Sequence, residues 1–185
     1  MGTESQNAHF FRRDYFSLIE DEGGGKITVK KMKARLVNLA LGEFVAVCIF
    51  IYVYYLLDLG AASLFAFAYL VFILLQGIFY WLYRYLSIKF KLNFHTQVAK
   101  TYRYLQKITS LLCLPVVLNI AINYSNGTDI IIAIAILIFS LVEYVNYFCY
   151  RLSYGKTGFN LIILKNHKLK KSSLHTLINR YARPS

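Results

Sequence analysis

The chain has 185 residues, of which 57% are hydrophobic, 17% aromatic and 16% charged. A soluble domain of this length carries about 25% charged and about 45–50% apolar residues, and here the surplus apolar residues are gathered in long blocks. This pattern excludes a disordered chain, a disulfide scaffold and an ordinary soluble enzyme. It predicts an all-α, polytopic integral membrane protein.

Four apolar spans follow a polar N-terminal segment of residues 1–35. Each span holds roughly 20 residues, which is enough at 1.5 Å per residue to cross a hydrocarbon core of about 30 Å. We therefore predict a bundle of four transmembrane helices over residues 36–150 and a basic tail over residues 151–185. The predicted spans are residues 36–57, 61–83, 104–124 and 130–150.

The basic residues indicate how the spans are oriented. The net charge is +12, and the connections between spans one and two and between spans three and four contain neither Lys nor Arg. Seven of the 21 basic residues precede span one, six lie between Arg84 and Lys107, and eight follow from Arg151 onward. Because cytoplasmic loops collect Lys and Arg, both termini are predicted to be cytoplasmic. Abundant Ile, Lys, Asn and Tyr hint at a bacterial cytoplasmic membrane.

Every predicted span carries a polar side chain in the part that lies toward the basic side. These residues are Glu43, Gln76, Lys107, and Glu143 with Asn146. Ionisable groups within a bilayer are costly and usually face the bundle interior, so we expect one shared polar cluster. It is either a structural network, in which Lys107 pairs with a carboxylate, or a site that binds a proton, an ion or a substrate.

Three arginines lie near the basic ends of the spans and offer a different kind of site. Arg84, Arg103 and Arg151 are candidates for contacts with phosphate or a lipid headgroup. No sequence motif of a known membrane enzyme accompanies them, so catalytic residues are not assigned and an enzyme is disfavoured. No cofactor is predicted.

The three cysteines, Cys48, Cys113 and Cys149, all lie within apolar blocks. A disulfide framework favours an even number of cysteines in loops, and a zinc site favours Cys-x-x-Cys or Cys/His spacing. We expect these cysteines to be small buried hydrophobic residues and predict no metal site.

The basic tail has one segment with helical periodicity. Leu174, Leu177 and Ile178 follow i, i+3, i+4 spacing among basic residues, which is typical of an amphipathic helix on an anionic lipid leaflet. Nucleic acid is a less favoured partner because the usual binding modules are missing.

Three functions remain open. The first is a non-enzymatic protein that acts by association, as an accessory subunit, scaffold or membrane effector module, in a homo-oligomer or with a larger membrane partner. The second is a small proton- or cation-coupled transporter or channel that uses Glu43 and Glu143. In topology alone, four spans with a glutamate in the first resemble the small multidrug-resistance exporters, although this chain is longer and has a second buried glutamate. The third is an enzyme that acts on lipid headgroups at the cytoplasmic interface.

Overall fold

The computed structural model describes residues 29–57, 60–90, 95–123, 127–150 and 171–181. Most of the predicted N-terminal segment, Arg151 and the first part of the basic tail lie outside these residues. The chain divides into two compact units, Met1–Arg35 and Leu36–Ser185, and the contacts below all belong to the second.

The described residues form five α-helices. Four of them are long and apolar enough to cross a membrane, which confirms the predicted multi-span helical protein. The helices are α1 (Val29–Leu57), α2 (Ala61–Phe90), α3 (His95–Ile122), α4 (Gly127–Phe148) and α5 (Ser173–Tyr181).

Helices α1, α2 and α3 extend beyond the predicted spans on the side where the basic residues lie, whereas α4 ends at Phe148, two residues before the predicted end. Helix α2 continues to Phe90, seven residues past the predicted end, and α3 begins at His95, nine residues before the predicted start. Hydropathy indicates only the part of a helix that is apolar enough for lipid. The helical backbone hydrogen bonds can continue into polar sequence beyond that part.

Helix α2 lies at the centre of the packing. It contacts α4 most extensively and α3 over a smaller area, and its buried face includes Ala62, Ala66, Leu70 and Ile73. The two alanines allow the neighbouring backbones to approach closely, as small residues do between membrane helices.

Helix α1 is packed differently. Among its side chains that the structure describes, only Leu36 and Val47 are buried. Val47 packs with Leu70 and Leu74 of α2. Cys48 on the same helix is exposed, so the expectation that all three cysteines are buried is wrong, because the helix face that carries Cys48 has no described neighbour.

Helix α5 belongs to the bundle and does not form a separate tail. It packs against α3 and α4, and Leu174, Leu177 and Ile178 are all buried in the main core cluster. The periodicity correctly indicated an amphipathic helix. Its apolar face is covered by the bundle, however, and is not available to a lipid leaflet.

Candidate functional site: a carboxylate pair between three helices

Glu43 of α1 is hydrogen-bonded to the indole of Trp81 on α2. The Nε1–H group of Trp81 on α2 donates a hydrogen bond of 2.9 Å to Glu43 Oε1. Trp81 is itself half-buried against the main core, so its donor has little freedom to move. This bond joins α1 to α2 at the level of Glu43.

The second carboxylate oxygen of Glu43 lies in a narrow space between α1, α2 and α4. A Cβ atom added to Gly77 would come closer than 3.0 Å to Glu43 Oε2, to Tyr147 Cζ and to the Tyr147 hydroxyl. Any residue larger than glycine at position 77 would therefore displace one of these groups. Gly77 thus leaves room for the side chains of Glu43 and Tyr147 to meet beside α2.

Glu43 Oε2 is buried and has no hydrogen-bond partner in regular geometry. The nearest polar groups are the Tyr147 hydroxyl, which also faces Gly77, and the second carboxylate of the site, Glu143. The two carboxylates are close enough to repel one another when both are ionised. Neither forms an ion pair with a basic side chain in the part of the chain that the structure describes.

Glu143 has a donor of its own. The amide Nδ2–H of Asn146, three residues further along α4, donates to Glu143 Oε2 over 3.4 Å. The structure therefore brings together three of the five residues of the predicted polar cluster, namely Glu43, Glu143 and Asn146.

Gln76 belongs to a second polar group, on the α3 side of α2. Its Nε2–H donates to Thr109 Oγ1 at 2.9 Å, and Thr109 Oγ1 donates to the backbone oxygen of Leu105 at 2.8 Å. The Tyr102 hydroxyl donates to the backbone oxygen of Gln76 at 2.9 Å, and Tyr69 donates to that of Thr109 at 3.1 Å. The donors of this group are satisfied, so it joins α2 to α3 as a structural network.

Lys107 lies apart from both groups. It is exposed on α3 and forms no ion pair with a carboxylate among the described residues. The shared cluster expected from the sequence is thus divided, because residues at one depth on different helices meet only where their helix faces meet.

The arginine site is described only in part. Arg84 and Arg103 are half-buried, near the end of α2 and the beginning of α3 respectively. Arg84 lies close enough to Tyr80 to interact electrostatically with its hydroxyl. Arg151 lies outside the described residues, so the proposed headgroup contacts stay a prediction.

The site also contains three residues that were not predicted from the sequence, namely Trp81, Gly77 and Tyr147. A signal for Gly77 was present, since it is a single glycine in a long run of bulky apolar residues. Trp81 is the only tryptophan of the chain, but the sequence predicted no contact between it and Glu43.

Comparison with known proteins assigns no relative. No protein family matches this sequence, and no curated protein or solved structure is significantly similar to it.

Proposed function

We propose that this protein is a small membrane protein in which Glu43 and Glu143 bind a proton or a small cation, as in a coupled transporter or channel. One observation carries the proposal. Two carboxylates close enough to repel one another lie within apolar helices, no described basic residue neutralises them, and one buried oxygen of Glu43 has no regular hydrogen bond. Charge of this kind within a bilayer is normally neutralised by a bound proton or cation.

Flux through reconstituted vesicles tests the proposal. The purified protein is placed in liposomes that hold a pH-sensitive dye, and a potassium diffusion potential drives protons inward, with sodium flux measured in parallel. We expect flux in the natural protein and its loss in Glu43→Gln and in Glu143→Gln. Cys48→Ala is the matched control, because Cys48 is exposed on α1 five residues from Glu43.

Unchanged flux in both glutamine variants would contradict the proposal, and so would the absence of proton and cation flux in the natural protein. Equal incorporation of each variant into the liposomes, measured by gel after density flotation, separates loss of transport from loss of protein.

Association is a second candidate, supported by α1. A helix with two buried side chains leaves most of its surface for lipid or for another membrane helix, and we propose that this surface contacts a second copy of the chain or a larger membrane partner. Native mass spectrometry after gentle extraction tests it. A homodimer or a stoichiometric partner is expected, and a monomer would contradict it.

We further propose that the protein resides in a bacterial cytoplasmic membrane with both termini in the cytoplasm. The charge distribution supports this, since the connections without basic residues all fall at one side of the predicted spans. The basic tail is proposed to contact anionic lipids through its charges. Labelling of single cysteines placed in the connection around Gly60 and in the tail, from outside intact cells, tests the orientation.

A further inference from the structure

The unpartnered oxygen of Glu43 decides what the site binds. Oε1 accepts the Trp81 indole N–H, but Oε2 is buried and receives no hydrogen bond. A carboxylate oxygen that is taken out of water without a donor loses its hydration and gains nothing in exchange. A proton on Oε2 removes the charge and turns this oxygen into a donor.

Tyr147 provides the hydrogen-bond acceptor that a protonated Oε2 needs. Its side chain is only 7% exposed, and its hydroxyl faces Glu43 Oε2 across Gly77. With Glu43 ionised, the Tyr147 O–H can turn to donate to Oε2. With Glu43 protonated, Oε2–H donates to the Tyr147 oxygen, so Tyr147 keeps its own proton in both states.

Burial and, to a smaller extent, the neighbouring carboxylate both disfavour a negative charge on Glu43. The titratable groups that face Glu43 are Tyr147 and Glu143, both on α4, while α2 contributes the non-titrating Trp81 and Gly77. Two neighbouring carboxylates resist full ionisation, so one of them tends to take up a proton. Glu143 has the Asn146 amide as a donor, whereas Glu43 Oε2 depends on the Tyr147 hydroxyl.

The same surroundings are poor for a metal ion. Calcium takes six to eight oxygen ligands and magnesium a regular octahedron, but the described residues contain no group of three His, Cys, Asp or Glu side chains that could hold a metal. The Trp81 N–H also presents its positive end to the carboxylate. The space between Gly77, Glu43 and Tyr147 is too small even for a methyl group.

Building on the proposed function, we propose that the ligand is a proton bound to Glu43 Oε2. The resulting O–H group donates a hydrogen bond to the Tyr147 hydroxyl, and the Trp81 N–H continues to donate to the carbonyl oxygen Oε1. The bond formed is the O–H bond of the carboxyl group, and the bond broken is an O–H bond of a hydronium ion at the membrane surface, which is left as a neutral water molecule.

Infrared difference spectroscopy of the full chain in lipid vesicles tests this directly. Stepping the pH down should produce the C=O band of a protonated carboxyl group that shifts in deuterated water and is missing in Glu43→Gln. In Trp81→Phe the band should move to higher frequency, because the carbonyl oxygen loses its donor. Tyr147→Phe should alter the pH at which the band appears, while Cys48→Ala leaves the band unchanged.

Titration with sodium, potassium or magnesium chloride at fixed pH separates the outcomes. A band that is insensitive to these salts supports the proton. A band that disappears as a salt is added would overturn the inference and leave cation binding, and hence the proposed function, intact. A site that responds to neither pH nor salt would overturn both. Circular dichroism of each variant shows whether a missing band reflects loss of the fold.

Discussion

Asp129 joins the beginnings of α2 and α4, two helices that are long and apolar enough to cross a membrane, and removing its carboxylate should measurably weaken the bundle. It lies in the first turn of α4 and is 5% exposed. Its oxygens accept the backbone N–H groups of Gly60 at 3.0 Å, Ala62 at 3.1 Å and Ser63 at 3.3 Å. The carboxylate thus caps α2 from a different helix, since these N–H groups have no partner within α2.

The size of the effect follows from these three bonds. A hydrogen bond to a charged group contributes roughly 1.5–3 kcal/mol, and a buried donor left unpaired costs roughly 1–3 kcal/mol. The three bonds share one carboxylate, the bond to Ser63 is long, and Gly60 is exposed, so water can replace part of the loss. For Asp129→Ala we therefore expect the free energy of unfolding to fall by about 2–4 kcal/mol.

The assay is unfolding in detergent micelles followed by circular dichroism, together with hydrogen exchange of the first turn of α2. The control is Asn123→Ala, because Asn123 follows α3 near the same end of the bundle and its amide donates to the backbone oxygen of nearby Asn119, at 3.0 Å. A loss below about 0.5 kcal/mol, the range of ordinary surface substitutions, would refute the reasoning. Unchanged exchange at Ala62 and Ser63 would do the same.

Three further predictions concern the contact of Gly77 with Glu43 and Tyr147, the polar network between α2 and α3, and the last helix, α5. Gly77→Ala should separate α1 from the bundle, because the new Cβ atom meets Glu43 and Tyr147; cross-linking between the helices measures this. Gly42→Ala is the control. The space around Gly42 is open, so this variant should stabilise α1 by up to about 1 kcal/mol. Thr109→Val should lower the stability measured in micelles by about 1–2 kcal/mol, because the buried Gln76 amide loses its acceptor. Leu177→Ala should expose α5 to protease without unfolding the spans, since α5 contacts α3 and α4 but takes no part in the more extensive packing between α2 and α4.

Each of these has an outcome that would contradict it. Equal cross-linking in Gly77→Ala and Gly42→Ala would show that the approach at position 77 is not tight. Natural stability in Thr109→Val would show that the network contributes nothing. Cooperative loss of all helices in Leu177→Ala would show that α5 is required for the whole bundle.

The candidate site could be predicted in part. The sequence indicated Glu43 and Glu143 because an ionisable residue inside an apolar span is rare and costly, and the structure brings both to one junction. It did not indicate that Lys107 lies elsewhere or that Gln76 bonds to Thr109. The depth of a residue along a helix can be counted from the sequence. Which residues it contacts also depends on the side of the helix it lies on and on which helices pack against that side.

The sequence by itself determined the number of spans and the apolar face of the last helix. Both depend on local composition and periodicity, since about 20 apolar residues suffice to cross a bilayer and i, i+3, i+4 spacing places side chains on one face. The tertiary structure alone decided what those elements touch. Trp81 meets Glu43, Asp129 caps α2, and the face of α5 packs on the bundle, because each contact joins residues distant in the chain whose meeting depends on how whole helices pack.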